Sequence, residues 1–161
     1  HQGDMVIPLT NGLVDVSAAD GGSVAILGVM AGCEYTALDG TPTFDNKYPG
    51  TASLKSGTEA TVFVYDDPHQ VYECQADASL TNLATATALI HSNAEGTGFG
   101  SETANGISSG EISVSTAGAT TATDNFRIVG IKDVEGIDYA SAGVVLLVKL
   151  NLPFHTATTG L

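Results

Sequence analysis

Apolar residues along this chain come in short runs, broken about every 8–12 residues by Gly, Pro, Asn or Asp, the spacing expected of strands joined by tight turns. MVIPL (5–9) and GLVDV (12–16) flank Thr10-Asn11-Gly12, and Asn-Gly there predicts a hairpin closed by a type I′ turn. Pro8 cannot donate to a ladder, which places the first strand at an edge or beside a bulge. Asp20-Gly21-Gly22 and Asp39-Gly40 read as turns around SVAILGVMAGCEYTAL (23–38), two strand lengths with Gly28 or Gly32 as the kink. Segment 41–57, with Pro42, Pro49, Gly50 and Gly57, reads as a loop anchored on the body by Phe44 and Tyr48.

Residues 58–65 and 70–76 are strong strands. Segment 77–93 places Leu80, Leu83, Thr87 and Ile90 near a helical face, with Ser79 as a cap, and predicts one short helix. A Gly-rich loop (95–106) follows, then strands at 107–115 and 125–134. GVVLLVKLNL (143–152) has the nearly continuous apolar character of a strand buried on both faces, and 154–161 reads as a tail. No repeat of fixed period occurs. The fold class expected is all-β: an antiparallel β-sandwich or barrel with long loops and at most one short helix. A single domain spans 1–161, with 1–9 and 153–161 as extended docking segments.

The densest chemistry lies in TVFVYDDPHQVYECQAD (61–77). Side chains alternate faces in a strand, so Phe63 and Tyr65 share one face and Val62 and Val64 the other. Val71, Glu73 and Gln75 then oppose Tyr72, Cys74 and Ala76. Between the two runs, Asp66-Asp67-Pro68 terminates a strand for physical reasons. Proline fixes φ and restricts the residue before it, while aspartate bonds nearby backbone amides. The competing reading is a cation site at Asp66, Asp67 and His69. Calcium loops want alternating oxygen ligands around a tight glycine bend, where this stretch has proline, and zinc wants more His or Cys. Paired carboxylates of the glycosidase kind arise by chance in any acidic β-protein. The residues favour the corner.

Other motifs fall away. Gly96, Gly98 and Gly100 miss the G-x-G-x-x-G spacing and open no helix. His1, His69, His91 and His155 share no ligand spacing, and neither H-E-x-x-H nor G-x-S-x-G occurs. Cys33 and Cys74 make no disulfide framework and are expected as buried free thiols. No apolar run reaches the ~20 residues of a membrane span, and the start lacks the basic region of a secretory signal. With 5 Lys+Arg against 18 Asp+Glu and a formal charge of −13, the surface repels phosphate, so neither nucleic acid nor an anionic membrane is expected as partner. A basic or neutral protein surface, or a cation, suits it better.

Five stretches in order carry a family likeness: GDMVIPLTNGLVDV (3–16), ILGVMAGCEYTALDGTPTF (26–44), ATVFVYDDPHQVYECQAD (60–77), NFRIVGIKD (125–133) and VVLLVKLN (144–151). Together they resemble the capsid cement (decoration) proteins of tailed bacteriophages, especially a cyanophage-like group from marine and freshwater hosts. The resemblance implies a non-enzymatic virion protein on the outer capsid surface. It would bind the major capsid protein, bridge its subunits near three-fold positions, and form a homo-oligomer, most naturally a trimer. It implies no catalytic residue, metal or cofactor. Adhesion would fall to apolar groups on loops and termini: Met5 and Ile7, Phe44 and Tyr48, and Phe154. Two other readings stand beside it, a carbohydrate- or receptor-binding module of a virion fibre, and a cation-dependent hydrolase using Asp66 and Asp67.

Overall fold

A computed structural model describes residues 1–17, 25–101, 103, 105–115, 117–118, 122–132 and 135–156. The chain is mostly β, built from antiparallel sheets with one short helix. The strands are β1 (Met5–Pro8), β2 (Val14–Val16), β3 (Gly28–Thr36), β4 (Pro42–Asp45), β5 (Thr61–Tyr65), β6 (Tyr72–Gln75), β7 (Asn93–Ala94), β8 (Gly96–Thr97), β9 (Glu111–Ile112), β10 (Phe126–Ile131) and β11 (Val145–Leu150). The helix α1 covers Leu83–Ala88.

A five-stranded sheet is organised by β3. β1 and β4 follow one another along one side of it, and β5 runs along the other. A four-stranded sheet has the order β6-β11-β10-β7, and β8 and β9 form a small ladder. The expected turn at Asp20-Gly21-Gly22 lies outside the described residues.

The main core rests on one face of the four-stranded sheet. Leu146, Val148 and Leu150 of β11 and Phe126 and Ile128 of β10 are buried there, with Ala86 of α1, Ile112 of β9 and Met5 of β1 packed against them. Along β11 buried and half-buried residues alternate. The apolar run is therefore one-sided rather than buried on both faces, Lys149 included. A second, smaller cluster of Val6, Met30 and Cys33 lies on one face of the five-stranded sheet. Met5 and Val6 point to opposite faces, as the strand period requires, so β1 joins the two clusters.

Several expectations change. The hairpin forms with Val6 opposite Val16, but its turn is not type I′. Type I′ needs two positive φ angles, and here Gly12 alone is left-handed, at +81°. The result is a three-residue loop in which Leu9 N–H donates to Leu13 O at 2.8 Å and Gly12 N–H to Leu9 O at 3.0 Å. β1 is an inner strand, and Pro8 sits past the end of its pairing with β3, where no donor is required. Residues 5–8 are thus part of the sheet, not an extended docking arm.

Of segment 23–38, the described residues 25–38 yield one nine-residue strand with a bulge between Met30 and Gly32. Segment 41–57 is less loop-like than its prolines suggest, since Pro42–Asp45 forms β4. The helix is shorter than 77–93 and is capped by Asn82, whose Oδ1 accepts from Thr85 N–H at 2.9 Å, not by Ser79. It buries Ala86, while Leu83 is 56% exposed. Leu80 reaches the core from before the helix, held by its N–H to Tyr139 O at 2.9 Å. The Gly-rich loop is built on β7 and β8 and fixed by Phe99, which stacks on Phe126 with centroids 5.8 Å apart. The strand expected over 107–115 shrinks to Glu111–Ile112.

Candidate functional site

The corner at 66–70 is where the chain leaves one sheet for the other: β5 belongs to the five-stranded sheet and β6 to the four-stranded one. Asp67 makes the turn. Its Oδ1 accepts from His69 N–H at 2.8 Å and its carbonyl from Gln70 N–H at 3.0 Å. Tyr72 closes the corner by donating its hydroxyl to Tyr65 O at 2.9 Å. Burial, with Asp67 and Asp66 adding negative charge, pushes the Tyr72 phenol up to about 12. Asp66 turns away and lies 3.2 Å from His155 Nε2, which ties the 154–156 turn to the corner. Asp66, Asp67 and His69 are therefore separate, and no cluster of three or more His, Cys, Asp or Glu able to hold a metal ion occurs among the described residues.

The two thiols are unpaired. Cys33 is buried in the small cluster, and burial raises its pKa. Cys74 is only half-buried by exposure, yet its Sγ faces the Gly110 carbonyl at 3.5 Å and burial pushes it up to about 12. Neither is poised as a nucleophile, which requires a lowered pKa.

Two surface features remain. The first is a cavity of about 480 Å³ between the five-stranded sheet and the 48–60 segment. Val6, Met30, Val62 and Leu54 line it, together with Tyr48, Asp15, Glu59 and Asp4. Asp4 is buried and saturated: Oδ1 accepts from Gly100 N–H at 2.9 Å, and Oδ2 lies 2.8 Å from the His1 amine and 2.9 Å from its Nδ1.

The second is the opposite face of the same sheet. The register puts Met5 beside Val29, Val29 beside Tyr65, Gly32 beside Phe63, and Glu34 beside both Phe44 and Thr61. All of these share one face. At one end Met5 is 0% exposed, sealed by the main core. At the other end Phe63 is 43% exposed, Tyr65 57% and Phe44 70%. Phe44 and Phe63 reach towards each other from the two sides of β3, with ring centroids 6.4 Å apart and planes within 13° of parallel. The rings border a shallow depression of about 330 Å³ that Gly32, Asp45 and Asn46 also line. A Cβ at Gly32 would stand 3.1 Å from the Asp45 carbonyl oxygen, so glycine keeps the depression open there.

The residues singled out as adhesive separate accordingly. Phe44 is exposed on the sheet face, not anchored on the body. Tyr48 lines the cavity. Ile7 is half-buried in β1. Phe154 is half-buried against His155, and its N–H donates to Ile26 O at 2.8 Å, so the chain near 153 is tied down. Met5 is core and offers nothing to a partner. Phe63, Tyr65 and Glu34 were not among the candidates. Alternation assigns Phe63 and Tyr65 to one face but does not say whether that face is covered.

Comparison with known proteins finds no matching family model, no similar curated protein and no similar solved structure. No described helix is long and apolar enough to cross a membrane.

Proposed function

We propose that this chain is a non-enzymatic capsid decoration protein of a tailed bacteriophage. It binds the outer surface of the major capsid protein lattice, as a homo-oligomer and preferentially a trimer, and stiffens the head. The observation that carries this reading is the bare aromatic end of the five-stranded sheet. Three aromatic rings stand on a rigid β face that the protein's own core leaves uncovered. A contiguous exposed apolar patch on a small β-body marks an interaction surface, and aromatic anchors are where interface energy concentrates. The ordered likeness of residues 3–152 to cement proteins supports the major capsid protein as partner, and the −13 charge suits a shell protein kept off the genome.

Cryo-EM of intact particles containing this chain, with mass spectrometry for copy number, tests it. Density over the lattice at a copy number near that of the major capsid protein is expected. Absence from particles would remove the reading. The parallel rings of Phe44 and Phe63 favour one second reading, a fibre module that stacks sugar rings on them. A glycan array would then report binding, and the particle would hold only a few copies at a tail or vertex.

A further inference from the structure

The bare end of the five-stranded sheet has a chemistry as well as a shape. Its aromatic pair is nearly parallel, and both rings border an open depression. Glu34 stands on the same face, directly across from Phe44. No ion pair among the described residues includes Glu34. The strands β3, β4 and β5 carry no Lys or Arg at all. Beyond Tyr65 come Asp66 and Asp67. Aromatic faces beside an unpaired carboxylate such as Glu34 attract a cation. A planar guanidinium suits a parallel ring pair better than an ammonium, because it stacks on a ring while its edge bonds a carboxylate. A second copy of the chain fits poorly here, since a copy of this face brings another carboxylate and no Lys or Arg to pair Glu34.

We propose that the Phe44–Phe63 depression binds an arginine side chain presented by a basic segment of a partner protein, with Glu34 pairing its charge. The partner's identity as a capsid subunit rests on the reading above, whereas the site's preference for arginine does not.

The full chain, 15N-labelled, would be titrated with acetyl-Arg-Gly-Arg-Gly-Arg-amide and with its lysine and citrulline counterparts. Amide shifts should concentrate at Gly32, Glu34, Phe44 and Phe63, with arginine tightest, lysine weaker and citrulline weakest. Glu34→Gln should weaken arginine binding about fivefold, as expected for loss of one ion pair, and added salt should weaken it further. Phe44→Ser with Phe63→Ser should abolish it. Phe44→Leu with Phe63→Leu keeps apolar bulk and should lose the preference for arginine over citrulline. Shifts elsewhere, no shifts, or equal binding of citrulline would overturn the proposal. So would dissociation of an oligomer by the double serine variant, or a glycan displacing the peptide.

A separate arm adds the protein to heads lacking it. If wild type decorates them and the double serine variant binds about 30-fold more weakly or worse, as loss of an interface anchor predicts, the docking role holds. Equal decoration by both would overturn the docking face alone and leave the capsid reading standing. Retained arginine binding with no decoration by either protein would sink the capsid reading and leave the site intact.

Discussion

The two large sheets use similar strands to opposite ends. In the four-stranded sheet, the inward residues of β10 and β11 are buried under α1, β9 and Met5. In the five-stranded sheet, one face holds a cluster of only three buried side chains beside a cavity, and the other face runs from a sealed Met5 to a bare Phe44. Stability therefore concentrates in the first sheet, while the proposed docking face lies on the second. The shared strand β1 couples them, with Met5 in one cluster and Val6 in the other.

The largest expected effect comes from core truncation in the four-stranded sheet. Leu146 is fully buried, so Leu146→Ala should cost about 3 kcal/mol in denaturant unfolding. The matching change in the other sheet, Val62→Ala, removes a half-buried group that already faces a cavity, and should cost about 1 kcal/mol. Equal costs would break the division between the sheets.

Next is Gly28→Ala. A Cβ there would lie 2.2 Å from the Tyr65 carbonyl oxygen, a backbone atom that cannot swing aside. β3 and β5 must separate at that end, at about 1–3 kcal/mol. Because the Tyr65 end also carries the Tyr72 bond, the loss of stability should come with altered exchange of the 65–72 amides.

Where the reading along the chain succeeded, local chemistry decided the outcome. The alternation of Val62, Phe63, Val64 and Tyr65 appears as written, and Asp67-Pro68 turns the chain by bonds within three residues. The all-β class followed from the same short-range pattern. Where it failed, distant contacts decided. Prolines argued against a strand at 42–45, yet Pro42 is a strand's first residue, where no donor is needed. Leu80 and Leu83 looked like one helical face until a bond to Tyr139 drew Leu80 inward and left Leu83 outside. Periodicity likewise assigns Met5, Phe63 and Phe44 to a face only strand by strand. That the core covers Met5 and stops short of Phe44 depends on residues far along the chain, in β10 and β11.

A smaller effect belongs to the corner between the sheets. The Tyr72 phenol sits at about 12 against an ordinary 10.0, so the fold favours its neutral, donating form. That contribution is fully present below pH 10 and is lost as pH rises through 12, because the unfolded chain gives up the proton first. A titration at 295 nm should show a tyrosine step near pH 12. Tyr72→Phe should remove that step and flatten the fall in stability across the same window.

The smallest expected effect sharpens the comparison most. Phe44 is the most exposed aromatic on the sheet face, and a surface side chain contributes little to folding. Phe44→Ser should shift stability by less than about 0.5 kcal/mol, whereas truncating a buried phenylalanine such as Phe126 costs about 3–5 kcal/mol. A bare phenylalanine also carries a liability, because exposed apolar surface on an edge strand invites aggregation, and Phe44→Ser should raise solubility. A residue whose removal costs the fold almost nothing and improves solubility is held in place by something outside the chain. If Phe44→Ser instead lowers the melting temperature as Leu146→Ala does, the five-stranded sheet is structural like its neighbour, and its bare face loses its claim to be a docking surface.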